Sequence, residues 1–128
     1  MTTAAAAVTP FDRIGGAAAV RALVDRFYDA MEHDPAYARL RAIHADDLGP
    51  MRASLTGFLT GWMGGPRDWF SQGKCVMSAH APFIIDQQLR DQWIDAMDVA
   101  LAATDMDAEL HDLLAGGFRR VANSMVRQ

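Results

Sequence analysis

The chain has a single cysteine, Cys75, in 128 residues. That excludes an intrachain disulfide framework and leaves no Cys-x-x-Cys pair for zinc or thiol exchange. It has no basic run. Twelve Lys and Arg against sixteen Asp and Glu leave a formal charge of −4, which argues against a binder of nucleic-acid phosphates. No apolar stretch approaches the ~18–20 residues of a membrane span. No segment alternates apolar and polar residues as a strand would, and no internal repeat is visible. No serine stands in a Gly-x-Ser-x-Gly elbow. Gly64-Gly65-Pro66 is not followed by the Lys-Ser/Thr of a phosphate loop. Met1 to Pro10 is alanine-rich without a charged n-region or a leucine-type core, so a secretory signal is not expected. The expectation is a soluble, cytoplasmic protein from a reducing compartment, without a nucleic-acid or membrane partner.

What is present is helical. The composition, 51% hydrophobic and 22% charged, is globular, and the length suits one domain. Residues 1–10 read as a flexible leader and 11–128 as the domain. Val20, Leu23, Val24, Phe27, Tyr28 and Met31 recur at spacings of three and four, one apolar stripe of an amphipathic helix. Gly15 and Gly16 allow a bend before it, and Pro35 breaks it after Asp34. Leu40 and Ile43 suggest a short turn, punctuated by Gly49-Pro50. Met51, Leu55, Phe58, Leu59 and Trp62 form a second stripe that stops at Gly64-Gly65-Pro66. Residues 67–79 lack a clean period and read as an irregular loop with at most a short helix. Asp86 is a candidate N-cap for a helix through Leu89, Trp93, Met97 and Leu101. A last helix over about Asp107 to Val126 presents Leu110, Leu113, Leu114, Phe118, Val121 and Met125. The Gly116-Gly117 pair is expected to weaken or kink it. The fold class is all-α, with four substantial helices.

Of four histidines, His33 and His111 sit among acidic residues and read as surface groups, whereas His44 follows Ile43 and His80 precedes the apolar run Ala81–Ile85. Zinc needs three or four ligands at short spacing, and Cys75 with His80 has no second pair. A haem iron needs only one imidazole beside an apolar pocket. Without Cys-x-x-Cys-His, a haem would be held non-covalently. The Trp, Phe and Met content accords with such a pocket but also with plain core packing.

An ordered set of motifs carries a resemblance. Arg13-Ile14-Gly15-Gly16 precedes Val24-Asp25-Arg26-Phe27-Tyr28. There follow Leu40-Arg41-Ala42-Ile43-His44, Phe58-Leu59-Thr60-Gly61-Trp62-Met63-Gly64-Gly65-Pro66, His80-Ala81-Pro82-Phe83 and Arg90-Asp91-Gln92-Trp93. In this order, over about residues 11–126, the chain resembles the truncated haemoglobins of group II. The resemblance implies a shortened globin, a two-over-two helical sandwich around haem b (iron protoporphyrin IX). His80 matches the proximal iron ligand. Tyr28 and Trp93 match distal hydrogen-bond donors, and His44 faces the same side as a third candidate. Met51 and Leu55 match two distal-helix positions that carry His or Gln in many globins. The remaining cofactor contacts implied are Phe58, Trp62, Trp69, Lys74, Met77, Phe83, Ile84 and Met97. One departure concerns the stretch before His80: the arginines that the family places near the histidine are replaced by Met77 and Ala79. Lys74, Arg67 or Trp69 would then have to meet the haem propionates.

The implied function is the binding of oxygen or another diatomic gas, with oxygen transport as one form of it. The donors would act by a simple mechanism. A gas that draws electron density from ferrous iron becomes a charged acceptor, and a hydrogen bond to such an acceptor contributes about 1.5–3 kcal/mol. At about 1.4 kcal/mol per decade, one donor slows release roughly ten- to a hundredfold. The alternative is a haem enzyme for peroxide or nitric oxide detoxification, served by a reductase. Apolar Met51 and Leu55 weigh against a peroxidase, which wants a distal base. A haem-free helical interaction module is a third possibility. The resemblance leaves a monomer and a homodimer both open.

Overall fold

A computed structural model describes residues 8–44, 46–71 and 85–125. Among them every regular element is helical. Helix α1 (Pro10–Ile14) opens on a capping box: the Thr9 hydroxyl accepts from Asp12 N–H while the Asp12 carboxylate accepts from Thr9 N–H. Thr9 and Pro10, the end of the expected leader, thus cap and start this helix. Gly15 and Gly16, at φ +120° and +83°, turn the chain sharply into α2.

Helix α2 (Ala17–His33) buries Val20, Leu23, Val24, Phe27, Tyr28 and Met31, the stripe read from spacing. It ends at Asp34, whose carboxylate accepts from Ala36 N–H and starts a 3-10 turn (Pro35–Tyr37) leading into α3 (Ala38–Ala42). Helix α4 (Gly49–Trp62) begins at Gly49-Pro50. The proline sits in the first turn, where a missing N–H costs nothing, so the expected punctuation is a helix start. Gly64, at φ +97°, ends the helix region as the sequence predicts. A short α5 (Asp68–Ser71) follows.

Helix α6 (Gln87–Ala102) starts on Asp86, whose side chain accepts from Leu89 N–H at 3.0 Å. Helix α7 (Ala108–Ser124) starts on Asp107 in the same way, at 2.8 Å from Leu110 N. Two expectations for α7 need correction. Leu113 is 47% exposed rather than on the buried face. The helix also runs through Gly116 and Gly117 without a break. A Cβ on Gly117 would lie 2.6–2.8 Å from the Trp62 ring, so close tertiary approach, not a kink, is what requires that glycine.

Helix α2 packs against α4, α6 packs against α7, and α2 lies across α6. These are two helix pairs, one over the other. The short α6–α7 connection makes that pair antiparallel neighbours. Phe27, Leu59, Met63, Met97, Leu101, Leu114 and Phe118 fill the space between the layers.

Candidate functional site

Helices α2, α4 and α6 meet around Tyr28. Its ring is 5% exposed. Phe27 stands edge-on to it at 5.0 Å, and the His44 ring, just beyond α3, meets it edge-on at 5.9 Å. Phe27 in turn contacts Trp93 of α6 at 5.6 Å, and Trp93 contacts Phe118 of α7 at 6.0 Å. Trp62 stacks on the far side of Phe118 at 5.0 Å. The structure therefore gathers Tyr28, His44 and Trp93, distant in sequence, into one aromatic neighbourhood. His44 and Trp93 also share the wall of an apolar cavity with Leu40, Ile43, Leu89 and Met125.

The polar groups of these residues are unequal. His44 Nδ1 lies 2.8 Å from the Leu40 carbonyl. A carbonyl only accepts, so Nδ1 carries the hydrogen and Nε2 of the neutral ring is an acceptor. The ring donates from Nε2 only when protonated. Tyr28 differs: among the described residues nothing bonds its hydroxyl. Burial pushes the phenol well above its ordinary range, and the nearby Arg52 charge pulls it back only in part. The phenol thus keeps its proton. The Trp93 indole N–H, partly buried, likewise has no acceptor among the described residues.

Arg52, which sequence reading missed, is the most elaborately held charged side chain near the site. Its guanidinium donates to Asp25 at 3.0 Å and Asp29 at 2.9 Å, and its Cζ sits 5.6 Å from the centroid of the Tyr28 ring. Asp25, Asp29 and Glu32 recur at helical spacing on α2, and that acidic stripe was the available signal for a basic partner.

The other expected contacts fall as follows. Leu55 packs partly buried against the core, while Met51 is 38% exposed. Phe58 is buried edge-on to Trp69, whose indole N–H donates to Ser54 Oγ at 3.1 Å. That donor, one of three candidate propionate partners beside Lys74 and Arg67, is engaged with Ser54 within the protein. Met97, on α6, is wholly buried in the core. Lys74, Cys75, Met77, His80, Phe83 and Ile84 lie outside the described residues. Among the described residues no three His, Cys, Asp or Glu cluster as metal ligands, and no helix is long and apolar enough to cross a membrane.

The comparisons accord with this geometry. Residues 9–127 match the family described as bacterial-like globin. A group II 2-on-2 haemoglobin from the plant pathogen Agrobacterium tumefaciens superposes with a TM-score of 0.91 at 34% identity, covering 98% of this chain and 99% of that one. A cold-adapted truncated haemoglobin from the Antarctic marine bacterium Pseudoalteromonas haloplanktis gives 0.89 at 34%, over 94% and 98%. A group 1 truncated haemoglobin from Synechocystis is 31% identical over 97 residues, 75% of this chain and 74% of that protein. The group II structure matches over nearly the full length of both chains, the group 1 relative over three-quarters. The chain accordingly belongs to the bacterial-like globins, as a truncated haemoglobin of group II, and with that membership come a haem cofactor and a diatomic gas ligand.

Proposed function

We propose that the protein holds haem b non-covalently through His80 and binds oxygen on the side of Tyr28 and Trp93. The observation that carries this reading is the buried Tyr28 hydroxyl, without a partner among the described residues. A buried donor left unpaired costs about 1–3 kcal/mol. A second donor without an acceptor among the described residues, the partly buried Trp93 N–H, belongs to the same aromatic cluster. Two protonated donors at one apolar site fit a small polar acceptor better than they fit a closed core. They therefore fit a haem whose gas ligand receives them. Leu55 and Phe58 of α4 supply apolar wall for the macrocycle.

Haem iron supplies the open coordination position for the gas. The chain does the rest. Tyr28 donates its O–H toward the ligand and keeps its proton, because burial opposes the phenolate. Trp93 offers its N–H from α6. Phe27, between them, sets their separation and keeps water out. His44 spends its Nδ1 hydrogen on the Leu40 carbonyl, so Tyr28 and Trp93 form the donor set.

The test is spectroscopic. Ferric, ferrous and carbonmonoxy forms are compared for the native protein and His80→Ala at equal haem occupancy. Changed iron coordination in the variant is expected. A Soret band and coordination identical to the native protein would overturn the assignment of His80. Oxygen release is then timed in Tyr28→Phe and Trp93→Phe, with acceleration expected in both.

One observation favours peroxide chemistry as a second reading. With Nδ1 bonded to Leu40, the basic nitrogen of His44 is Nε2, on a ring that meets Tyr28, and such a nitrogen is the kind of group that moves a proton. Turnover of a reducing dye with hydrogen peroxide, abolished in His44→Phe, would support it. Turnover no greater than that of free haem would remove it.

A further inference from the structure

Arg52 joins α4 to α2 through several acidic partners at once. Asp25, Tyr28, Asp29 and Glu32 follow at three, one and three residues, so they share one face of α2. Arg52 reaches that face from α4. Its side chain is only 16% exposed, with Nη1 at 3.0 Å from Asp25 Oδ1 and 3.2 Å from the Asp25 carbonyl, Nη2 at 2.9 Å from Asp29 Oδ1, and Glu32 at 4.0 Å. Asp25 already has a second cationic partner on its own helix, Arg21 at 3.1 Å. The carboxylates therefore act as a socket, and the socket places the guanidinium over the phenol ring at 5.6 Å, within the range of a cation–π contact.

We propose that Arg52 is the positioning residue of the Tyr28 donor: anchored by Asp25 and Asp29, it fixes the direction of the phenol and strengthens the hydrogen bond that the hydroxyl gives to the gas ligand. This rests on the reading of Tyr28 as the gas-facing donor. Two effects act together. The ring cannot swing away without leaving the cation that covers it. The positive charge also stabilises the electron density that builds on the phenol oxygen as its hydrogen is shared, which makes the O–H a stronger donor. Burial keeps the proton in place, so the charge sharpens the donor without ionising it. Such a contact corresponds to about a threefold to tenfold change in an equilibrium or release rate.

The test is a double-mutant cycle on the haem-loaded protein, with oxygen and carbon monoxide as probes. Arg52→Met, Arg52→Lys and Tyr28→Phe are made, and each Arg52 variant is combined with Tyr28→Phe. Phenylalanine keeps the ring and removes only the hydroxyl, so packing effects of Arg52 cancel in the cycle. Oxygen release and the C–O stretching frequency of the carbonmonoxy form are read. With Tyr28 present, Arg52→Met is expected to speed release about threefold to tenfold and raise the stretch, with Arg52→Lys between it and the native protein. In the Tyr28→Phe background, neither readout moves further. An equal change in both backgrounds, or an unmoved stretch with Tyr28 present, overturns the proposal and leaves Tyr28 as donor. If Tyr28→Phe alone changes neither readout, the donor reading falls and takes this proposal with it. Should Arg52→Met fail to retain haem, Arg52→Lys in both backgrounds decides by the same comparison.

Discussion

The two helix pairs are built differently. The α6–α7 pair is closed: both helices start on aspartate caps, and α7 buries Leu110, Leu114, Ala115, Gly117, Phe118 and Ala122 over its length. The α2–α4 pair is open on one helix. Over 14 residues α4 buries only Phe58, Leu59 and Gly61, and its N-cap, Leu48, makes no side-chain bond. Apolar Met51 on its first turn stays exposed, and Leu55 is covered only in part. A charged clamp at Arg52 joins the two helices near the site. A helix rich in apolar residues yet little buried against the described protein is suited to face a cofactor. The buried packing is densest in α6–α7 and on the inner face of α2, and the proposed gas-handling chemistry belongs to Tyr28 of α2 and Trp93 of α6.

That contrast can be broken most strongly from the closed pair. Phe118→Ala removes a ring that contacts both Trp62 and Trp93 and should cost about 3–5 kcal/mol of folding stability, read by urea denaturation. Tyr28→Phe should do the reverse. It speeds oxygen release about ten- to a hundredfold while leaving the urea midpoint unchanged or higher, since the lost hydroxyl has no partner among the described residues. A matching stability loss in Tyr28→Phe would show that the two regions are not separable.

Smaller effects sharpen the picture. Gly117→Ala forces a methyl group onto the Trp62 ring and should lower stability by about 1–3 kcal/mol. Gly116→Ala meets nothing closer than 3.7 Å and should raise it by up to about 1 kcal/mol through helix propensity. Smallest is the effect of acid on the caps. Hydrogen bonds from Arg39 and the Leu89 N–H hold Asp86 below the usual carboxylate range, and the Leu110 N–H and Arg13 do so for Asp107. Their contribution is complete above the unfolded value of 3.8 and is lost as pH falls through the lower folded values. Asp86→Asn should therefore flatten the acid limb of stability measured against pH, leaving the neutral region with a small uniform loss.

Long-period signals were readable without the structure. The α2 stripe coincides with its buried residues, because six apolar side chains at three- and four-residue spacing leave one way to bury them. Asp86 as an N-cap was equally legible from its place before a helical pattern. Helix α1 was not, since five residues give no period and only the Thr9–Asp12 box marks it. Leu113 misled because apolar character does not require burial. Within the site, Tyr28, His44 and Trp93 were named from the motif order, but the tautomer of His44 and the commitment of the Trp69 N–H to Ser54 depend on how the folded chain places their partners.

The order of residues alone determined that the chain is helical, where its long helices lie, and which family it resembles, because periodicity and capping act over a few residues. Only the tertiary structure decided that Arg52 covers Tyr28, that Gly117 yields to Trp62, and that the buried hydroxyl finds no partner among the described residues. Those are relations between side chains brought together from separate helices, and packing, not local sequence, sets their distances.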